Sequence, residues 1–149
     1  MTKQIKHTYF YQHPPQVVWD YLTKPELLQQ WLMKNDFAPI LGRDFTFNTN
    51  PIPAMDFDGI AYCKVVEIVP FKKLSYTWKG GPGEGKITLD SLVVWTLTAT
   101  ENGTELLLEH TGFKEANFNI FNGMNGGWLK NIQKIDKLIT DSQNGTAGA

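Results

Sequence analysis

The sequence predicts an α+β domain in which an antiparallel sheet wraps around a long C-terminal helix. Apolar residues alternate with polar ones in several segments between residues 44 and 112, which is the period expected of strands. Two turn signals, at residues 70–73 and at Asn102–Gly103, are typical of connections between antiparallel strands. Near the C-terminus four large apolar residues follow helical spacing: Trp128, Ile132, Ile135 and Ile139.

The first 31 residues predict one strand and two short helices. A β-rich run from Lys3 to Tyr11 stops before Pro14 and Pro15, because proline cannot donate to a ladder. Residues 16–22 carry apolar side chains at helical spacing behind Pro15. A second helix is expected to start near Pro25 and to include Trp31.

The middle of the chain predicts five strands. We expect them near residues 44–48, 59–69, 74–79, 87–99 and 104–112. Side chains two apart share one face of a strand, so each strand offers one apolar face to the core. The predicted inward residues are Phe45, Phe47, Tyr76, Trp78, Val93, Trp95, Leu97, Leu106, Leu108 and His110.

The segment 113–127 is rich in asparagine, phenylalanine and glycine, and we expect it to be irregular. The long helix is expected to follow it. Residues 1–140 then form a single domain, and the small polar residues 141–149 predict a flexible tail.

Composition narrows the classes of function. The chain has 149 residues, with 14 basic against 15 acidic side chains, so it offers no broad positive field for nucleic acid. No apolar run is long enough to predict a membrane span, and the first twenty residues do not resemble a secretion signal. With a single cysteine, Cys63, no internal disulfide is possible, and we expect a cytoplasmic protein. Aromatic residues make up 13%, and such side chains commonly line ligand sites.

Several blocks of the sequence are similar to one known family. They are HPPQVVWDYLTKPELL (13–28), GRDF (42–45), VEIVP (66–70), LSYTW (74–78), SLVVWTL (91–97), GTELLLEHTGF (103–113) and GGW (126–128). In this order they resemble the activator-of-heat-shock-protein-ATPase homologues, within the START-like (SRPBCC) superfamily. The resemblance covers roughly residues 5–140 and implies a helix-grip fold with a cavity between sheet and helix.

The resemblance leaves three functions open. Stand-alone members of the superfamily hold lipids, sterols, polyketides or other apolar molecules in the cavity, which makes a hydrophobic small molecule the first expected partner. A chaperone is the second expected partner, through a protein-interaction surface on the outside. A cyclase or hydrolase acting in the cavity ranks last, because it needs two convergent titratable groups and the sequence offers one inward histidine with tyrosines.

The candidate ligand-binding residues are those expected to face the cavity: Phe47, Tyr62, Tyr76, Trp78, Trp95, His110, Trp128 and Ile132. Among them His110 is either a hydrogen-bonded core residue or a ligand contact. No catalytic residue is predicted. No cofactor or metal is predicted either, because the three histidines show no ligand spacing.

Overall fold

The computed structural model describes residues 3–148, with side chains described for residues 3–143. Seven strands and three helices follow one another along the chain. They are β1 (Lys3–Tyr11), α1 (Pro15–Thr23), α2 (Pro25–Trp31), β2 (Lys34–Asn35), β3 (Asp44–Asn48), β4 (Ile60–Val69), β5 (Lys73–Gly80), β6 (Leu89–Thr100), β7 (Gly103–Phe113) and α3 (Phe118–Gly148). The predicted α+β, helix-grip fold is confirmed.

All seven strands form one sheet in the order β1-β7-β6-β5-β4-β3-β2, and every neighbouring pair is antiparallel. The chain therefore builds most of the sheet as a meander from β2 to β7 and adds β1 beside β7. The two short helices occupy the connection between β1 and β2. Proline stands at the first position of each, at Pro15 and Pro25, where its missing N–H removes no intrahelical bond.

Helix α3 packs its apolar side against the inner face of the sheet. Trp128, Ile132, Ile135 and Ile139 are all buried, as the helical spacing predicts. The predicted inward residues of the strands are buried opposite them, including Phe47, which is fully shielded from solvent. Burial of this kind contributes roughly 1.5–3 kcal/mol for each large apolar side chain, so the contact between helix and sheet holds the fold together.

The start of α3 corrects the prediction. Residues 118–127 are helical rather than irregular, so the helix begins ten residues before Trp128. Asn117 fixes this start: its side-chain oxygen accepts the backbone N–H of Lys114, and its amide donates to the carbonyl of Thr88. Ile120 is buried, and the ring of Phe121 lies edge-on to Phe113. These contacts outweigh the low helix propensity of the glycines that follow.

The helix also extends through residue 148, across most of the segment predicted as a flexible tail. Residue 149 lies outside the described residues. The flexibility of residues 141–149 stays a prediction, as does the division of the chain at residue 140.

Candidate functional site

A cavity of about 200 Å³ lies where the middle of α3 approaches the sheet. Four parts of the chain surround it. Helix α3 contributes Met124, Gly127, Trp128 and Asn131, and strand β5 contributes Trp78. The loop between β3 and β4 contributes Ile52 and Met55, and the segment after α2 contributes Leu32 and Met33.

The walls of this cavity are mostly apolar and carry no charged side chain. Three of the chain's four methionines line it: Met33, Met55 and Met124. Methionine is unbranched and polarisable, so it adapts to irregular shapes and makes favourable contacts with aromatic rings. The side-chain amide of Asn131 is half-buried. The surface thus suits a mainly apolar molecule that has few polar atoms.

Two glycines of α3 shape the cavity. A Cβ atom at Gly123 would lie 2.7 Å from Met55 Sδ, so the absence of a side chain there makes room for Met55. A Cβ at Gly127 would meet no atom within 4 Å. Because Gly127 lines the cavity, any side chain placed there would enter open space. Glycine within a helix costs about 0.5–1 kcal/mol relative to alanine, and the cavity gives a structural reason for that cost.

Next to the cavity, His110 is held in a closed hydrogen-bond network. Trp128 Nε1 donates to His110 Nδ1 at 3.0 Å, which leaves the proton of the neutral ring on Nε2. His110 Nε2 lies 2.8 Å from Ser91 Oγ, and this hydroxyl donates to the carbonyl oxygen of Trp78 at 2.7 Å. Both ring nitrogens therefore have partners.

The electrostatics of this network keep the imidazole neutral. His110 is fully shielded from solvent, and burial lowers the pKa of its ring to about 3. Burial also raises the pKa of the Tyr76 phenol and of the Cys63 thiol. At neutral pH these three groups carry no charge, so they act as hydrogen-bonding or packing groups rather than as ions.

The tryptophans around α3 differ in how their indole N–H groups are satisfied. Trp31 donates to the carbonyl of Tyr21, and Trp95 donates to the hydroxyl of Tyr76. Trp78 is only 1% exposed, and its Nε1 is the one buried side-chain nitrogen or oxygen without a partner among the residues with described side chains. Leaving such a donor unsatisfied costs about 1–3 kcal/mol.

The structure separates the eight predicted ligand-binding residues into three groups. Trp78 and Trp128 line the cavity. Five others are buried in the packed core beside it: Phe47, Tyr76, Trp95, His110 and Ile132. Aromatic rings fill this core at close distances; the rings of Phe47 and Trp78, for example, stack at 5.2 Å between centroids.

The prediction that Tyr62 faces the interior is wrong. Its side chain is 45% exposed, on the outer face of β4. Its neighbours Ala61 and Cys63 point inward and are buried. Successive side chains of a strand point to opposite faces, so a buried Cys63 requires an outward Tyr62.

Most of the cavity wall was missed from the sequence because it comes from loops and from the glycine-containing part of α3. Met33, Ile52 and Met55 lie in or next to irregular segments, where periodicity carries no information. One signal was available. Methionines beside proline or glycine breakers, as at Met55 and Met124, mark adaptable apolar side chains outside the regular core.

A second cluster of polar side chains ties β1 to α3. His13 Nε2 lies 3.0 Å from Asp136 Oδ1, and the hydroxyl of Tyr9 donates to Asp136 Oδ2 at 3.0 Å. The hydroxyl of Tyr11 donates to the carbonyl of Ile132 at 2.6 Å. This cluster fixes the end of β1 against the helix.

Comparison with known proteins places the chain in a family. A family model described as Activator of Hsp90 ATPase homolog 1-like protein matches residues 12–140. The chain belongs to this family. Among proteins with curated descriptions, none matches the chain.

Several solved structures are similar to this chain in fold. Protein MLL2253 from Mesorhizobium loti is 33% identical, with 93% of this chain and 98% of that protein covered and a TM-score of 0.83. The Aha1 dimer from Colwellia psychrerythraea, solved in solution, is 19% identical, with 90% and 93% covered and a TM-score of 0.73. CalU16 from Micromonospora echinospora is 23% identical, with 93% and 74% covered and a TM-score of 0.72. The last two share the fold.

Within the described residues, no helix is long and apolar enough to cross a membrane. No group of three potential metal-binding side chains occurs in that part of the chain either.

Proposed function

We propose that this protein binds an apolar or amphipathic small molecule in the cavity between α3 and the sheet. The observation that carries the proposal is the apolar cavity of about 200 Å³ between α3 and the sheet, with the Cβ position of the half-buried Gly127 open beside it. Ligand sites in proteins are concave and mostly apolar, with a small number of polar groups. A cavity of about 200 Å³ with uncharged, adaptable walls is therefore best explained as a binding site.

The size of the cavity restricts which ligands fit without rearrangement. Engineered protein cavities of roughly 150 Å³ hold benzene, whereas ordinary small-molecule sites measure roughly 300–1,000 Å³. A single substituted ring matches the present volume of about 200 Å³. A lipid, a sterol or a polyketide would need the cavity to widen, and the methionine side chains are the part of the wall that can move most readily.

Native mass spectrometry with a matched pair of variants tests the proposal. Gly127→Leu places a side chain in the cavity, whereas Gly126→Leu places the same side chain on the exposed side of the helix. Gently purified wild-type protein and Gly126→Leu are expected to retain a small-molecule adduct or to acquire one from a panel of aromatic compounds and lipids. Gly127→Leu is expected to lose it. Equal binding by both variants, or no binding by the wild-type protein, would contradict the proposal.

A second candidate function is a protein-interaction module that assists a chaperone. It is favoured by the family description and by an apolar groove on the outside of the protein, at the turn between β4 and β5. Val69 and Phe71 line this groove and are 41% and 43% exposed. Lys72 lies beside them, while Lys73 is paired with Glu67 at 3.1 Å, so an apolar segment with an acidic neighbour would fit.

The two candidates respond to different substitutions. If an Hsp90 chaperone binds the outer groove, Phe71→Asp should abolish binding and any stimulation of the chaperone ATPase, whereas Gly127→Leu should leave both unchanged. Titration calorimetry with an Hsp90 protein and a coupled ATPase assay would measure the two effects. Loss of binding on Gly127→Leu alone would contradict docking at the outer groove.

A further inference from the structure

The unpartnered indole N–H of Trp78 distinguishes the cavity from the rest of the core. Of the four tryptophans that are almost fully buried, Trp31, Trp95 and Trp128 all donate to a protein acceptor at 2.8–3.0 Å. Trp78 has no acceptor among the described side chains and backbone around it, although it lines the cavity. Buried donors in native proteins are nearly always satisfied, so this exception calls for a physical account.

The neighbours of Trp78 show that its own surroundings do not supply the missing acceptor. Its backbone carbonyl accepts the hydroxyl of Ser91, and that hydroxyl also meets His110 Nε2. The ring of Trp78 lies against three aromatic rings, with centroids 5.2 Å from Phe47, 5.6 Å from Trp128 and 5.9 Å from His110. Aromatic faces and edges offer no strong acceptor, whereas the cavity, which Trp78 also lines, has room for a molecule that carries one.

The chemistry of the cavity wall defines what kind of acceptor fits. No lysine or arginine lines the cavity, so a carboxylate or phosphate would be buried there without a counter-charge, at high cost. No aspartate or glutamate lines it either, which argues equally against a cation. A neutral oxygen acceptor, such as a carbonyl or an ether, is the group that could satisfy an indole N–H in this setting.

We infer that the ligand is an uncharged molecule about the size of one substituted ring, and that its carbonyl or ether oxygen accepts a hydrogen bond from Trp78 Nε1. This inference rests on the proposed function and adds to it the class of ligand and the residue that orients it. The side-chain amide of Asn131, which also lines the cavity, offers a second polar contact for an amphipathic ligand.

Binding requires a small opening of the wall, because Trp78 is only 1% exposed. Met55 is suited to give way. It ends a single turn of 3-10 helix (Pro53–Met55) in the loop between β3 and β4, and its thioether rests against the bare backbone of Gly123. An unbranched side chain against a glycine can change rotamer without displacing a neighbouring side chain.

Nuclear magnetic resonance on the wild-type protein tests the inference with three probes of similar shape. Acetophenone carries a carbonyl oxygen, isopropylbenzene replaces that group with a hydrocarbon, and benzoate carries a charge. The readouts are the ¹⁵N-indole resonances of the five tryptophans and the ¹³C-methyl resonances of Met33, Met55 and Met124. Acetophenone and isopropylbenzene should both shift the methionine methyls, and benzoate should not.

Only acetophenone should move the indole proton of Trp78 downfield, by more than that of any other tryptophan. Binding to the cavity without this shift would overturn the inference while leaving the proposed function intact. If neither acetophenone nor isopropylbenzene shifts the methionine methyls or binds elsewhere in the cavity, both the inference and the proposed function are contradicted. Binding of benzoate as tight as that of acetophenone would overturn the assignment of an uncharged ligand.

A variant gives an independent measurement of the same contact. In Trp78→Phe the preference for acetophenone over isopropylbenzene should fall about five- to tenfold, the effect of losing one neutral hydrogen bond. The preference should stay unchanged in Trp19→Phe, which replaces a tryptophan outside the cavity wall. An unchanged preference in a folded Trp78→Phe protein would contradict the inference, and the wild-type spectra decide the matter if that variant does not fold.

Discussion

Trp78 and Trp128 touch each other, with ring centroids 5.6 Å apart, yet the polar groups of the two residues have opposite environments. The N–H of Trp128 enters a closed network through His110 and Ser91 to a backbone carbonyl. The N–H of Trp78 has no partner among the described residues. The polar groups that satisfy one another fix the helix to the sheet, whereas the unpaired N–H of Trp78 is the group to which our proposal assigns a ligand contact.

Trp128→Ala removes the tryptophan of the closed network and should have the largest effect on stability. Removing a buried tryptophan leaves a large cavity and also leaves His110 Nδ1 without its donor. We expect a loss of about 3–5 kcal/mol in the free energy of unfolding, measured by urea denaturation. A loss below about 0.5 kcal/mol would contradict the packing of α3 on the sheet.

Lowering the pH should destabilise the same network, because His110 becomes protonated. Because the pKa of the folded ring, about 3, lies below the ordinary value of 6.5, the unfolded chain binds a proton first as pH falls. This stabilisation is complete above pH 6.5 and is lost between pH 6.5 and about 3, by about 1.4 kcal/mol per pH unit.

The wild-type free energy of unfolding should therefore fall about 2 kcal/mol further than that of His110→Gln between pH 6.5 and pH 4.5. Comparing the two proteins removes the contribution of the carboxyl groups, which titrate in both. Parallel stability profiles for the two proteins would show that the histidine does not stay neutral in the folded state.

Ser91→Ala removes one link of the network and should have an intermediate effect. The N–H at His110 Nε2 and the carbonyl of Trp78 both lose their partner in a buried site. We expect a loss of about 1–3 kcal/mol in the free energy of unfolding. Ser91→Cys, which keeps a weaker hydrogen-bonding group, should lose less; equal stability of Ser91→Ala and wild type would mean that the network contributes nothing.

Substitutions at the glycines of α3, near the cavity, should have the smallest effects on stability. Gly126→Ala and Gly127→Ala should each raise the free energy of unfolding by about 0.5–1 kcal/mol, since alanine favours the helix and neither Cβ meets another atom. Gly123→Ala should gain less, because its Cβ would press on Met55. A gain at Gly123 equal to the other two would show that Met55 does not rest there.

The same contrast explains what the sequence could and could not predict. The packed region around His110 is built from regular strands and one face of α3. Periodicity correctly predicts the burial of its large residues, which include Trp95, His110, Trp128 and Ile132. The cavity wall, in contrast, depends on contacts between residues that are far apart in the chain, and such contacts leave no local pattern in the sequence. Met55 reaches Gly123 from a loop 68 positions away in the chain, and no period in the sequence records that meeting.

Two errors have specific physical causes. The start of α3 was placed too late because Gly123, Gly126 and Gly127 lower helix propensity, whereas the packing of Ile120 and the cap at Asn117 outweigh it. The prediction for Tyr62 disagrees with the alternation of buried and exposed side chains at the start of β4. The buried Cys63 next to it determined the face.

The position of β1 at the edge beside β7 has a consequence for synthesis of the protein. Strand β1 is synthesised before the other six strands, but its pairing partners, from Thr104 to Phe113, are made about a hundred residues later. Its tyrosines also bond to Ile132 and Asp136 of the last helix. The native partner of the first strand is therefore absent while about a hundred residues are translated, at roughly 5–20 residues per second. The exposed Gln4, Lys6 and Thr8 alternate along the strand and make one of its faces polar.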